Sequence, residues 1–167
     1  MAVTNIQEQM RLLMEALVRA LGGTVPTRAD ISHPDDYQIQ LLEAAVAGAI
    51  GGVTFGTLTA ESGNARTQSL QLTDATGADL AKRGMVQVYL SNDANGDTIA
   101  TAGTPAGLAA GTNGLYRQLI QHLSGFFTSE ADGDIDVTIT NTGSGSVYLV
   151  VVLPNGALKV SGAIAFA

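Results

Sequence analysis

The sequence predicts a mainly β protein: an antiparallel β-sandwich of immunoglobulin-like or jelly-roll type, preceded by an N-terminal segment of two helices. Three observations carry this expectation. After residue 53, apolar and polar residues alternate along several runs, the period of a strand with one buried and one wet face. Turn pairs that end in glycine separate those runs. Before residue 53 the apolar period is helical instead.

Val3, Ile6, Met10, Leu13, Leu17 and Ala20 recur at alternating steps of three and four, the spacing of an a/d seam. Thr4 or Asn5 would cap this helix and Gly22-Gly23 would stop it. Leu12, Met14, Val18 and Leu21 widen its apolar face. The seam runs for about two and a half heptads, below the ~3–4 that define a coiled coil on their own. The face formed by Ile6, Met10, Leu13 and Leu17 is therefore expected to serve oligomerisation or anchoring, in a bundle with other copies or against the chain's own domain. A polar connection at 24–33 containing Pro26 follows. Ser32 then resembles an N-cap, with Pro34 in the first turn and Asp35 and Asp36 near the positive end of the helix dipole. Ile39, Leu42, Val46 and Ile50 continue at helical spacing, so a second helix is expected from about 34 to 49, ended by Gly48, Gly51 and Gly52. Two such helices are too small for a core of their own and must bury their apolar faces elsewhere. The chain thus divides into a helical assembly or anchoring segment, 1–52, and a β-domain, 53–167.

Within the β-domain, Leu70 and Leu72 alternate with Gln71 and Thr73, and Val86, Val88 and Leu90 with Gln87 and Tyr89. Ile135, Val137 and Ile139 alternate with Asp134, Asp136, Thr138 and Thr140. Val147 to Leu153 is almost wholly apolar and reads as a central strand, with Pro154 at its end, where a missing N–H is tolerated. Asn155-Gly156 supplies a tight turn, and Leu158 to Phe166 returns as the last strand. Further turn signals at Thr76-Gly77, Asn95-Gly96, Asn113-Gly114 and Asp132-Gly133 imply about seven or eight strands. Residues 102–114 read as a long exposed loop.

Composition narrows the function. The 46% hydrophobic content supplies a core, while the net charge of −7 lacks the basic footprint that a phosphate backbone requires. The eight Lys and Arg residues are scattered, with Lys82-Arg83 the only adjacent pair, so neither nucleic acid nor an anionic membrane is an expected partner. The absence of cysteine removes thiolate chemistry, disulfides and Cys-based zinc sites. Glu8, Arg11, Glu15 and Arg19 interrupt the N-terminal apolar positions, unlike a signal peptide. The longest uncharged stretch, Ala44 to Ala60, is shorter than the ~20 residues of a spanning helix. Synthesis in the cytoplasm is the expectation.

Candidates for chemistry are few. His33 sits at the start of the second expected helix and His122 in the structural-looking run Leu115 to Leu123. No H-E-x-x-H, G-x-S-x-G or Walker-type motif occurs. Gly143-Ser144-Gly145-Ser146 lacks the lysine and the following helix of a phosphate loop and reads as a hairpin turn. Asp93, Asn95 and Asp97 form one acidic group, and Glu130, Asp132, Asp134 and Asp136 a second. Counting from Asp93, the twelfth position is Thr104, where an EF-hand places a bidentate glutamate, so that pattern fails. The expectation is a protein that is not an enzyme, with no catalytic residue, metal ligand or cofactor to assign.

The stretch from about Val53 to Ala167 resembles a domain recurrent among virion proteins of tailed bacteriophages. Three segments carry the resemblance: GMVQVYLSNDA (Gly84 to Ala94), SEADGDIDVTIT (Ser129 to Thr140) and YLVVVLPNGALKVSGAIAFA (Tyr148 to Ala167). They share the order of an acidic turn, a D-I-D-V-T-I-like strand and a terminal hairpin with Pro-Asn-Gly. The resemblance implies a structural protein of the capsid surface, a head decoration, cement or head-fibre protein. Its implied partners are other copies of itself, as a homotrimer, and the major capsid protein. The alternative is a head-fibre, neck or tail adhesive module that binds a host surface glycan or receptor, for which Phe126 and Phe127 form the best apolar pair.

Overall fold

A computed structural model describes residues 6–20, 25, 49–101 and 105–167. Among the described residues, one helix, α1 (Ile6–Ala20), precedes ten strands. These are β1 (Ile50–Leu58), β2 (Ala65–Asp74), β3 (Met85–Ser91), β4 (Pro105–Ala110), β5 (Leu115–Ile120), β6 (Ser124–Thr128), β7 (Asp134–Asn141), β8 (Gly145–Val152), β9 (Leu158–Val160) and β10 (Ile164–Phe166). The protein is mainly β and every strand pairing is antiparallel. One sheet runs β1-β2-β7-β4; the other runs β10-β8-β3-β6-β5, with β9 also on β8.

The alternation seen in the sequence sets the two inner faces. On β2, Gln68, Leu70, Leu72 and Asp74 are buried while Thr67, Ser69, Gln71 and Thr73 are not. On β7, Ile135, Val137, Ile139 and Asn141 are buried, and the register sets Leu70 opposite Ile135. Val86, Val88 and Leu90 of β3, Phe127 of β6 and Leu149 and Val151 of β8 do the same for the second sheet, and all join one core cluster. Each fully buried Leu, Ile, Val or Phe contributes roughly 1.5–3 kcal/mol over an exposed one. Buried Gln68 is satisfied through its Nε2, which donates to the carbonyls of Gly56 and Ser69, each at 3.0 Å.

β8 is nearly all apolar because both of its faces are covered. Val147, Leu149 and Val151 face the core, while Val150, equally buried, lies under the turn that follows β3. That turn is held down by Tyr89, whose hydroxyl donates to the Gly96 carbonyl at 2.6 Å. A Cβ at Gly96 would sit 3.2 Å from Val150 Cγ2, and its φ of 82° favours glycine again.

The structure corrects several expectations. Ile50, Gly51 and Gly52 do not end a helix; they open β1. A Cβ at Gly51 would fall 2.4 Å from Ala75 Cα, so glycine there serves close strand approach and not helix termination. The expected loop at 102–114 contains β4, paired with β7 and bulged between Pro105 and Gly107. Its small residues hide the strand period, and an edge position tolerates proline at the strand's start. Gly143 and Ser144 link the two sheets, and Gly145 and Ser146 open β8, rather than closing a hairpin, because β7 and β8 belong to different sheets. The single last strand is two, β9 and β10, on one edge of β8. Ser161 bridges the break: its N–H donates to Leu149 O and its Oγ accepts from Leu149 N–H, both at 2.9 Å. The second expected helix, with Ser32, His33 and Tyr37, lies outside the described residues.

Between β5 and β6, the Tyr116 ring covers Gly125, where an added Cβ would lie 2.3 Å from Tyr116 Cε2 and 2.6 Å from Arg117 O. Gly125→Ala is expected to cost about 1–3 kcal/mol, the usual range for forced overpacking. Gly162→Ala, with open space around its Cβ, should stay within about 0.5 kcal/mol of the parent. Urea melts of both variants check this; equal midpoints would show that the contact at Gly125 imposes nothing.

Candidate functional site

The helix α1 separates two opposite faces. At about 100° per residue, Leu13 and Leu17 point to one side and Glu15 and Val18 to the other. Leu13 is 71% exposed and Leu17 48%, whereas Val18 is fully buried and Glu15 nearly so. Glu15 is ion-paired with Arg11 one turn before it and lies 3.9 Å from Arg19 one turn after. Both Leu13 and Leu17 of the expected seam thus share an outward apolar surface, while Leu12, 51% exposed, lies about 100° round the helix from Leu13. Ile6 and Met10 belong to the same helix, and their side chains lie outside the description. The sequence places Val18 on a widened version of this face; the structure turns it to the back.

A groove lies on the outer face of the first sheet. It has a volume of about 580 Å³ and is lined by Thr57, Thr67, Ser69, Asp136, Thr138 and Gly111, among others. Register brings these residues together: Thr67 stands opposite Thr138 and Ser69 opposite Asp136. The Thr67 and Thr138 hydroxyls are 3.0 Å apart and hydrogen-bonded. A Cβ at Gly111 would lie 2.7 Å from Asp136 Cβ, so glycine keeps this end open. Sequence reasoning missed the groove. Its only signal was the run of hydroxyl residues at outward positions of separate strands, which also describes an ordinary wet face.

The acidic groups are committed to architecture. Asp93 accepts from the backbone N–H of Asn95, Asp97 and Thr98 and so ties the turn after β3. Asp134 accepts from Asn113 Nδ2, and Asp136 Oδ2 from Asn113 N–H at 3.2 Å, fixing the link from β4 to β5 against β7. Glu130 bonds Arg83 at 3.0 Å and accepts from Gly114 N–H. Among the described residues, no group of three or more His, Asp or Glu side chains is placed to hold a metal ion. His122 sits exposed in the β5–β6 turn with φ 65°. Leu115 and Leu119 nearby belong to edge strand β5 and are exposed, not part of the core. Phe127 is buried with its ring 4.7 Å from Tyr116, and Phe126 faces the other way. Among the described residues, no helix is long and apolar enough to cross a membrane.

Two turn carboxyls, Asp74 at the end of β2 and Asp93 after β3, couple the fold to pH. The Thr76 hydroxyl, followed by the backbone N–H groups of Thr76, Ala78 and Gly77, outweighs desolvation and holds Asp74 below the usual range. At Asp93, desolvation pushes up, but the N–H groups of Asn95, Asp97 and Thr98 with the Thr98 side chain prevail and lower it. A carboxyl whose folded pKa is depressed stabilises the fold fully above its unfolded value of about 3.9, and loses that contribution as pH falls through the folded value. Melting temperature should therefore fall on acidification below about pH 4. Asp74→Asn should be less stable at neutral pH and show a flatter acid limb; parallel curves for parent and variant would contradict the assignment.

Comparison with known proteins finds no matching family model, no matching curated protein and no matching solved structure.

Proposed function

We propose that the chain is a non-enzymatic structural protein of a tailed-phage virion that binds the outer capsid surface as a decoration or cement protein and stabilises the head. The observation that carries this reading is the outward apolar face of α1 at Leu13 and Leu17, attached to a β-rich body. An exposed apolar face on a small protein marks an assembly surface. The commitment of Asp74, Asp93, Asp134, Asp136 and Glu130 to turns and links also favours a structural role over catalysis.

The fold is read here as an immunoglobulin-like sandwich. The order β1-β2-β7-β4 facing β10-β8-β3 follows the A-B-E-D and G-F-C arrangement of that family of folds. Strands β5 and β6 extend the second sheet beyond β3. Residues 53–167 would carry the surface module and 1–52 the anchoring segment, with a homotrimer as the assembled state because capsid lattices offer three-fold positions. The major capsid protein is the partner and the virion surface the location after synthesis in the host cytoplasm; nucleic acid, membrane and cofactor have no role. A second reading, an adhesive head-fibre, neck or tail module, is favoured by the hydroxyl-lined groove beside Asp136, which suits a polyhydroxyl ligand such as a host glycan.

A cement binds the assembled lattice better than free subunits and stabilises it by mass action, about 2.7 kcal/mol per site at a hundredfold excess over the dissociation constant. Particles made with the protein should therefore retain their genome after heating better than particles made without it. Equal retention with the protein present at high copy number would reject the cement and leave the adhesive module.

A further inference from the structure

We infer that the Leu13–Leu17 face of α1 is a homotypic seam, taking the same face of further copies of this chain in parallel and in register. The inference rests on the assembly reading above and names the occupant of its apolar face. Three observations select a second copy. The steps of three and four from Val3 to Ala20 are those of an a/d seam, whose knobs fit holes made by the same positions on another helix. The back of α1 is already occupied, with Val18 and Glu15 buried, while Leu13 and Leu17 face outward. Charge is arranged to permit self-contact despite the net charge of −7. The positions flanking the seam are Gln7, Gln9, Met14 and Ala16, all uncharged, and Glu8, Arg11, Glu15 and Arg19 lie off it. Identical helices can therefore meet without setting like charges against one another, which would otherwise oppose association.

Parallel alignment follows from mounting identical bodies on one surface about a single rotation axis. A helix of 15 residues spans only about 22 Å, so the seam is short and association should depend on protein concentration.

The absence of cysteine from the chain makes the test clean. In the full-length protein, Leu13→Cys places one thiol in the seam, and Leu12→Cys places one at a comparably exposed site beside it. Under mild oxidation, Leu13→Cys should give an interchain disulfide as its main product and Leu12→Cys should not. Leu13→Asp should lower the sedimenting mass to that of one chain, whereas Leu12→Asp should leave it unchanged. A monomeric parent, no cross-link at Leu13, or equal cross-linking at both sites overturns the seam. The outcome is separable from the virion reading. Protein that co-purifies with particles but fails these tests refutes the seam alone, and protein that passes them but is missing from particles refutes the virion role alone.

Discussion

The β-rich body depends on antiparallel register at two central strand pairs, β2 with β7 and β3 with β8. That register sets Leu70 opposite Ile135 in one sheet and Val88 opposite Val151 in the other, so both inner faces are apolar at once. Because side chains alternate with a period of two, a slip of one residue would turn each of these to the outside. The core cluster takes its members from both sheets, so neither sheet can complete its burial alone. The rest of the β-body is arranged around this. The turns tied by Asp74 and Asp93 close strand ends, and the Gly96 turn covers the outer side of β8.

The same constraint explains which elements the sequence made legible. β2, β3 and β7 carry large apolar residues at alternate positions, and β8 a near-continuous apolar run, so each could be read directly. β1 was read as a strand only from Val53 onward, its first residues being assigned to a helix end, and β4 was read as a loop. Glycines at 51, 52 and 56 and the small residues of β4 leave few side chains to alternate, and these strands follow from pairing with β2 and β7. Pairing is non-local, which is also why Gly143 to Ser146, spanning the inter-sheet link and the start of β8, looked like a hairpin turn. The helix α1 was legible because its apolar repeat is a local pattern, yet the burial of Val18 on one side of it was not. The groove was illegible for the opposite reason: Thr57, Thr67, Gly111 and Thr138 are distant in sequence and meet only through strand register.

The division of labour in the molecule follows from where apolar surface is satisfied. Among the described residues, the core cluster and the apolar residues packed against it begin at Ile50 and include no residue of α1, although Val18 is itself buried. The β-body thus carries a core drawn from its own two sheets, while Leu13 and Leu17 of α1 face outward.

The independence of the β-body is the claim on which this account rests most heavily, and residues 49–167 expressed alone test it directly. Thermal unfolding followed by near-UV circular dichroism should give a single cooperative transition with the same midpoint as the full chain. A fragment that retains strand content but loses the near-UV signal and the cooperative transition would show that α1 completes the fold, and would contradict the account.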